Sequence, residues 1–358
     1  MPTADVIAGL GCNGDIVEMV QRALEGETLR VKGKKNDLPL DGERELYSLP
    51  FYAYIKIAEG CDNNCAYCAI PAIRGRFRSR PMENIIQEAE MLAKNGVTEL
   101  IVIAQDTSRY GKDLYGEYKL AELLRELCKI DGIRWIRTLY VYPERITDEL
   151  IDTIASEEKL VKYLDIPLQH CDETILRAMN RPGSAKEYKA LIRKLREKIP
   201  GIVLRTSLIA GFPGETKDQF KKLAQFVKDM RLDHVGCFAF SEEEGTRAAL
   251  MDHQIEQEEK DRRAEIINNE QDNVTIMKNN KRLGQVVTVV TEGWDKYAEC
   301  YYGRSEYEAP EIDGKIFFSS KRRPYLGEYL QVKLTDMMDI DMLGENLEDI
   351  ESDTDAEA

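Results

Sequence analysis

The stretch Cys61-Asp62-Asn63-Asn64-Cys65-Ala66-Tyr67-Cys68 places three cysteines within one short segment of the chain. A structural zinc site normally uses four protein ligands in two spaced pairs, yet the next cysteine is Cys128 and the first histidine is His170. Three thiolates can instead hold three corners of a four-iron cluster and leave the last iron open to a ligand that is not protein. The stretch therefore predicts an iron–sulfur site with one position free for chemistry.

The sequence around the cysteines alternates short β-branched or aromatic runs with amphipathic segments, which is typical of βα units and a parallel sheet. The runs predict strands at residues 53–58, 99–104, 135–141, 163–167, 203–210 and 234–240, with helices at 83–94, 120–129, 147–155, 187–198 and 217–230. Six units are too few for a closed eight-unit barrel, so we predict an α/β fold with a partial, open (β/α)6 barrel. The cysteines follow its first strand, which places them on the face formed by the C-terminal ends of the strands.

The two ends of the chain lack the alternating strand and helix patterns of this central part. A charged helical stretch at 254–281 is followed by short strand patterns at 285–291, 315–319 and 329–335, which predict a small antiparallel β-barrel. The first residues contain one strand pattern at 5–8 and one helix pattern at 15–24, too little for a separate core. The predicted domains are 1–46, a remnant and linker; 47–280, the core barrel; 281–346, the β domain; and 347–358, an acidic disordered tail.

The composition of the chain bears on its cellular compartment, its use of disulfides and its partners. The 358 residues are 43% hydrophobic, and the sequence has neither a transmembrane run nor a secretory signal, so we expect a cytoplasmic protein without a membrane partner. Eight cysteines are too sparse for a disulfide framework. The net charge of −15 disfavours nucleic acid as a partner. The part from 281 to 358 has 18 acidic against 9 basic residues, a net of −9.

Several further residues are candidates for a ligand site, each with a structural alternative. Polar residues stand at strand ends or within apolar runs, namely Gln105, Asp106, Asp165, Gln169 and Arg205. The turn from Gly211 to Thr216 could present backbone N–H groups to a ligand or be an ordinary βα turn. Four alternating arginines, Arg74, Arg76, Arg78 and Arg80, could hold a carboxylate or form a solvated loop. The glycine-rich segment from Gly9 to Gly14 is better explained as a tight turn than as a dinucleotide site.

The Cys-x3-Cys-x2-Cys spacing after the first strand, with Tyr67 before the last cysteine, resembles the radical S-adenosylmethionine superfamily. The resemblance implies that Cys61, Cys65 and Cys68 are the catalytic ligands of a [4Fe-4S] cluster. The open iron would bind S-adenosylmethionine, and an electron from a reducing donor would cleave it to a 5′-deoxyadenosyl radical. For binding of S-adenosylmethionine we expect Tyr67, Gln105, Asp165, Gln169, Arg205 and Gly211.

Longer motifs look like those of methylthiotransferases, and within them of the branch called RimO. They are Ile70-Pro71 with Arg74-Gly75, Arg78-Ser79-Arg80-Pro81, Ile103-Ala104-Gln105-Asp106-Thr107, Asp113-Leu114-Tyr115-Gly116, Asp165-Ile166-Pro167-Leu168-Gln169-His170 and Met179-Asn180-Arg181. The resemblance implies methylthiolation of the β-carbon of an aspartate in small-subunit ribosomal protein twelve. The C-terminal strands resemble the TRAM domain, which contacts the substrate. A strongly basic ribosomal protein suits the acidic charge of this part.

The same resemblance exposes one difference. The family has a preceding domain with three more cysteines for a second [4Fe-4S] cluster, whereas this sequence has only Cys12 before the triplet. We therefore expect a chain that lacks most of the N-terminal domain, that cleaves S-adenosylmethionine and that transfers the methylthio group poorly or not at all. The alternatives are a transfer RNA adenosine methylthiotransferase and a truncated, non-catalytic cluster-binding module.

Overall fold

The computed structural model describes residues 4–35, 38, 40–42, 44–47 and 49–357, with side chains as far as residue 352. Within the predicted domain 1–46, residues 1–3, 36, 37, 39 and 43 therefore lie outside the described part. The same holds for residue 358 of the predicted tail.

The chain begins with a small βαβ unit. Strand β1 (Val6–Ala8) and strand β2 (Leu29–Val31) pair in parallel, and helix α1 (Ile16–Leu24) connects them. Gly11 in the first turn has φ +90°, and a Cβ there would lie 2.1 Å from the carbonyl oxygen of Lys34. Both facts require glycine, which confirms the prediction of a tight turn. Cys12 is buried beside Met19 and Leu29, so it is a packing residue.

A six-stranded parallel sheet forms the centre of the molecule. The segment that builds this sheet and its flanking helices contains, in chain order, β3 (Tyr52–Lys56), β4 (Ala58–Glu59), α2 (Ile70–Arg74), β5 (Arg78–Ser79), α3 (Met82–Lys94), β6 (Glu99–Ile103), α4 (Leu120–Cys128), β7 (Trp135–Thr138), α5 (Asp148–Ser156), β8 (Leu160–Asp165), α6 (Glu173–Ala178), α7 (Ala185–Lys198), β9 (Val203–Ala210), α8 (Lys217–Met230) and β10 (His234–Ala239). The strand order is β3-β6-β7-β8-β9-β10, so each βα unit adds one strand to the growing edge. The predicted open six-stranded barrel is confirmed. Elements β4, β5, α2 and α6 were not predicted because they are too short to show a period.

The two faces of the sheet have different chemistry. Alternate residues such as Ile55, Leu100 and Leu204 belong to the main apolar core with the flanking helices. The other set includes the buried polar residues Glu99 and Arg137. The outer edge of β10 is covered by α9 (Gln257–Arg282), whose Asn268 side chain exchanges hydrogen bonds of 2.9 and 3.0 Å with the backbone of Cys237. An open edge would otherwise offer unpaired backbone groups to other chains.

The C-terminal part is a closed five-stranded barrel. It contains β11 (Val286–Asp295), β12 (Cys300–Arg304), β13 (Ile316–Ser319), β14 (Tyr329–Met338) and β15 (Asp341–Asn346), in the order β11-β12-β13-β15-β14. The predicted small antiparallel β-barrel is confirmed with one exception, because β13 and β15 pair in parallel. A closed ring with an odd number of strands cannot alternate direction throughout. Strand β12 was missed as well.

The acidic end of the chain differs from the predicted disordered tail, since the structure has a helix there, α10 (Leu347–Glu357). Its first turn is acidic, which complements the positive end of the helix dipole. Glu348 lies 3.0 Å from the guanidinium of Arg322, and Asp349 accepts a 2.7 Å hydrogen bond from the backbone N–H of Lys321. These contacts attach the start of the helix to the barrel.

The barrel packs against the N-terminal ends of the sheet strands. Trp135, the first residue of β7, meets the Tyr329 ring edge-on at 4.8 Å. Tyr163 of β8 donates a 2.6 Å hydrogen bond to Asp313 of the barrel, and Arg304 of β12 forms an ion pair with Glu99, the first residue of β6. The cysteines, by contrast, follow the C-terminal end of β3. They therefore lie at the opposite end of the strands from these barrel contacts.

Candidate functional site

The cysteine loop leaves the sheet through a turn that only glycine fits. Gly60 has φ +78°, and a Cβ there would lie 2.2 Å from the carbonyl oxygen of Arg76. The short antiparallel pair of β4 with β5 brings the two ends of the loop together, and the N–H of Cys61 donates to the carbonyl of Gly75 at 3.2 Å. Asn64 also has a positive φ of 51°, which asparagine tolerates better than most residues. The position of Cys61 is therefore set by backbone contacts.

The loop is tied to other loops at the same end of the sheet. Four hydrogen bonds do this: Ala66 N–H to Met179 C=O at 2.8 Å, Ala248 N–H to Ala66 C=O at 2.8 Å, and Asn180 and Arg247 side chains to Asn64 C=O, each at 3.0 Å. These partners follow helix α6 and strand β10, so the contacts span the chain from the first βα loop to the last. The predicted placement of the cysteines in the first βα loop agrees with these contacts.

The three thiols are sheltered and free of disulfides. Cys61 is 6% and Cys65 7% exposed, and Cys68 is half-buried. Burial raises the pKa of Cys61 to about 11 and also raises that of Cys68. Thiols with raised pKa values stay protonated at neutral pH, so loading with metal would release protons. Within the described part of the chain, no three His, Cys, Asp or Glu side chains converge closely enough to hold a single metal ion.

A buried arginine beside the loop suits an anionic group. Arg181 is 4% exposed and stacks on the Tyr142 ring at 4.2 Å, and one of its nitrogens donates to the Pro167 carbonyl at 2.8 Å. Its Nε and Nη1 atoms have no hydrogen-bond partner among the described residues. The guanidinium lies within electrostatic range of Cys65 and Tyr67. A buried cation with unmade hydrogen bonds is costly, and a cluster bound by three thiolates would bring further negative charge beside it.

Gln105 lies at the end of β6 next to the cysteine loop. Its Nε2 donates to Glu59 Oε1 at 3.4 Å, while its Oε1 is buried without a partner among the described residues. Glu59 itself is fully buried and meets Lys56 at 2.8 Å and Arg74 at 3.5 Å. The site therefore contains an unused acceptor beside a neutralised carboxylate.

Asp165 and Arg205 are paired with each other. Arg205 Nη1 donates to Asp165 Oδ1 at 3.1 Å, and its Nε lies 3.7 Å from Asp313 of the C-terminal barrel. Asp165 also accepts the N–H of Tyr140 at 3.2 Å, and burial raises the pKa of its carboxyl group. Arg205 is partly buried, and a charge in that setting is costly unless it is paired; the C-terminal barrel supplies part of the pairing through Asp313. Gln169 has φ +68°, and its backbone N–H and C=O both form hydrogen bonds with β9, to Ser207 C=O and from Ile209 N–H.

The turn at Gly211 does not present free N–H groups. The N–H groups of Gly211 and Phe212 donate to Glu215 Oε2 at 2.6 and 3.3 Å. Glu215 is buried and paired with Arg263 at 3.1 Å. The expectation that Gly211 faces a ligand through these donors was wrong, because an acidic residue four positions later already occupies them. The alternative, an ordinary βα turn, is the better description.

The four alternating arginines also have protein partners. Arg74 meets Glu59, Arg76 meets Asp62 at 2.7 Å, Arg78 donates to the Lys35 carbonyl at 3.1 Å, and Arg80 meets Glu88 at 2.6 Å. Sequence reasoning missed Arg145 and Arg181 and gave no role to Asn63. Arg181 stood in a quoted motif, but nothing in the motif indicated that it would be buried.

Comparisons with known proteins agree with this architecture. A family model described as the Radical SAM superfamily matches residues 55–227, and one described as TRAM domain matches residues 283–347. The ribosomal protein uS12 methylthiotransferase RimO of Desulforamulus reducens is 48% identical over 348 residues, which cover 96% of this chain and 78% of that protein. The protein of the same name from Clostridium botulinum is 43% identical over 345 residues, covering 96% and 77%.

A solved structure supports the fold alone. The radical S-adenosylmethionine methyltransferase TsrM from Kitasatospora setae, solved with tryptophan substrate and an S-adenosylmethionine analogue, matches with a TM-score of 0.50 at 15% identity. The match covers 64% of this chain and 50% of that one. Among the described residues, no helix has both the length and the apolar composition needed to cross a membrane.

Proposed function

The chain belongs to the RimO family of radical S-adenosylmethionine methylthiotransferases, and from that membership we propose that it attaches a methylthio group to ribosomal protein uS12. The acceptor would be the β-carbon of an aspartate, as the resemblance implies. The observation that carries the proposal is the loop of three sheltered thiols at the C-terminal ends of the sheet strands, beside the buried Arg181, whose Nε and Nη1 have no hydrogen-bond partner among the described residues. Acting on a ribosomal protein, the chain would work in the cytoplasm.

Three thiolates, those of Cys61, Cys65 and Cys68, would hold the [4Fe-4S] cluster. When bound, the cluster supplies the electron for reductive cleavage of S-adenosylmethionine. Burial of Cys61 and Cys65 shields this position from water, and Arg181 would offset the negative charge of a cluster held there.

The remaining predicted residues would bind the organic cofactor. Gln105 Oε1 is an acceptor without a partner among the described residues, which suits the ammonium group of an amino acid ligand. Tyr67 is part of a small apolar cluster with Ala66 and Phe212, and burial raises the pKa of its phenol. We retain Asp165, Gln169 and Arg205 as walls of the same site, with the Asp165–Arg205 pair already formed. Gly211 is not retained.

The acidic C-terminal barrel would contact the protein substrate. Its strands carry Trp294 and Tyr301 in edge-to-face contact, and Trp294 is exposed. Aromatic side chains on an acidic surface suit a basic protein better than a nucleic acid. Because such attraction is screened by salt, raising the ionic strength should weaken binding of uS12.

The cofactor assignment can be tested by anaerobic reconstitution. We expect one [4Fe-4S] cluster per chain by iron and sulfide analysis, and 5′-deoxyadenosine when S-adenosylmethionine and dithionite are added. Cys65→Ala should lose both signals, whereas Cys300→Ala, a half-buried cysteine outside the loop, should keep both. Retention of a full cluster by Cys65→Ala would refute the ligand assignment.

The substrate assignment needs a separate measurement. Any transfer should appear as purified uS12 that carries a methylthio group in place of one hydrogen, mapped to an aspartate by peptide sequencing, and excess transfer RNA should not inhibit it. Modification of transfer RNA in place of uS12 would overturn this part of the proposal.

A further inference from the structure

Asn63, between the first two cysteines, has a side-chain amide held from both ends. Its Oδ1 accepts a 2.8 Å hydrogen bond from Arg145 Nη2, and its Nδ2 donates a 2.8 Å hydrogen bond to Asp106 Oδ2. The same Nδ2 lies 3.4 Å from Cys61 Sγ, within the range of an N–H···S hydrogen bond. Asn63 therefore links a cysteine of the loop to two charged residues that follow β6 and β7.

The chemistry of the partners fixes which way the amide points. A guanidinium has only donors, so the atom facing Arg145 has to be the oxygen of Asn63. An ionised carboxylate only accepts, so the atom facing Asp106 has to be the nitrogen. The donor is thereby directed toward Asp106 and Cys61, and a flipped amide would lose both charged contacts.

The supporting residues are rigidly placed. Asp106 is fully buried, and its second oxygen accepts a 2.5 Å hydrogen bond from Ser108. Arg145 Nη1 closes the ring with a 2.8 Å contact to Asp106 Oδ2. This contact also offsets the carboxylate charge, which would otherwise disfavour further negative charge on the thiolates. The ring Asn63–Arg145–Asp106 thus presents one N–H group to sulfur from a framework that is nearly neutral.

An N–H donated to a thiolate ligand stabilises the more negative, reduced state of an iron–sulfur cluster more than the oxidised state. We propose that Asn63, oriented by Arg145 and Asp106, is a positioning residue that hydrogen-bonds Cys61 Sγ and raises the reduction potential of the cluster. This inference rests on the proposed function, because it assumes that Cys61 holds a cluster. It explains why a charged network, unrelated to the packing of the sheet, converges on one cysteine.

The test is the midpoint potential of the reconstituted cluster in the full chain, followed by EPR during reductive titration. Asn63→Leu removes the donor. At a fixed solution potential the ratio of reduced to oxidised cluster should fall roughly two- to tenfold, as expected for one lost hydrogen bond, and tenfold corresponds to about 59 mV for a one-electron couple. Arg145→Lys, which keeps the charge but cannot hold both partners, should shift the potential in the same direction by a smaller amount.

A matched control is Arg247→Lys. Arg247 also donates to the cysteine loop, but to the Asn64 carbonyl and, among the described residues, to no cysteine sulfur, so its replacement should leave the potential unchanged. Normal iron content with an unchanged potential in Asn63→Leu would overturn the inference while leaving the proposed function intact. Loss of iron in both Asn63→Leu and Arg145→Lys would also overturn it, since the network would then be structural. A wild-type chain that binds no cluster would instead refute the proposed function.

Discussion

Replacing Glu99 by glutamine should weaken the junction between the sheet and the C-terminal barrel. Glu99 is fully buried, forms an ion pair with Arg304 of the barrel, and accepts a 3.3 Å hydrogen bond from Arg137. Arg304 keeps a second carboxylate partner, Glu292 at 2.7 Å, whereas the contacts left to Arg137 are the Glu306 carbonyl at 3.0 Å and the face of Tyr163 at 4.6 Å. Glutamine preserves the shape and removes the charge.

The expected cost is large because a buried charge loses its partner. Removing one member of a buried ion pair typically costs about 3–5 kcal/mol, a substantial part of the roughly 5–15 kcal/mol that stabilises a folded domain. Most of this cost should fall on the domain junction, since both arginines lie there. The sheet itself retains its apolar core.

Tryptophan fluorescence can follow the junction directly. Trp135 is buried against Tyr329 of the barrel, whereas Trp294 is exposed and can be replaced by phenylalanine to simplify the signal. In urea, Trp135 of the Glu99→Gln variant should become exposed well before the helical circular dichroism is lost. The matched control is Glu126→Gln, which breaks a largely solvated pair with Lys129 and should change little. Equal effects of the two variants would refute the reasoning.

Three further predictions follow from other parts of the molecule. Burial lowers the pKa of His170 from 6.5 to about 4, and its Nδ1 accepts the N–H of Asp172 at 2.9 Å, so the folded chain favours the neutral ring. The unfolded chain binds the proton more readily, so the free energy of unfolding is at its full value above pH 6.5 and falls by about 3 kcal/mol as pH drops toward 4. Urea titrations at several pH values measure this fall. His170→Gln should flatten that part of the pH profile, and an unchanged slope would contradict the reasoning. Gly60→Ala should lower the iron content after reconstitution, because the added Cβ would clash with the Arg76 carbonyl. The control Gly96→Ala also has a positive φ, +92°, but open space around the added Cβ, so it should keep its iron. Equal loss of iron in both variants would argue against the steric reason. Binding of uS12 measured by fluorescence anisotropy should weaken steadily with salt, and salt-independent binding would exclude charge as its basis.

Local sequence was sufficient for the features that depend on spacing and period. The cysteine triplet lies within one loop, so its spacing alone predicted three neighbouring thiols. The strand pattern at residues 203–210 and the helix pattern at 217–230 match β9 and α8, because alternation and helical period reflect burial on one face. The glycine turn at Gly11 was likewise a local property of the backbone.

Only the tertiary structure decided which polar groups meet. Arg205 pairs with a carboxylate of another domain, a partner that the sequence did not indicate. The backbone N–H of Gly211 donates to Glu215, so it is not available to the ligand that was predicted there. Asn63 acquires its role from Arg145, 82 positions away in the chain. A hydrophobic period records that a face is buried, but a buried charge is satisfied by whichever partner the fold brings near. The sequence determined where the thiols would be, and the folded chain determined what surrounds them.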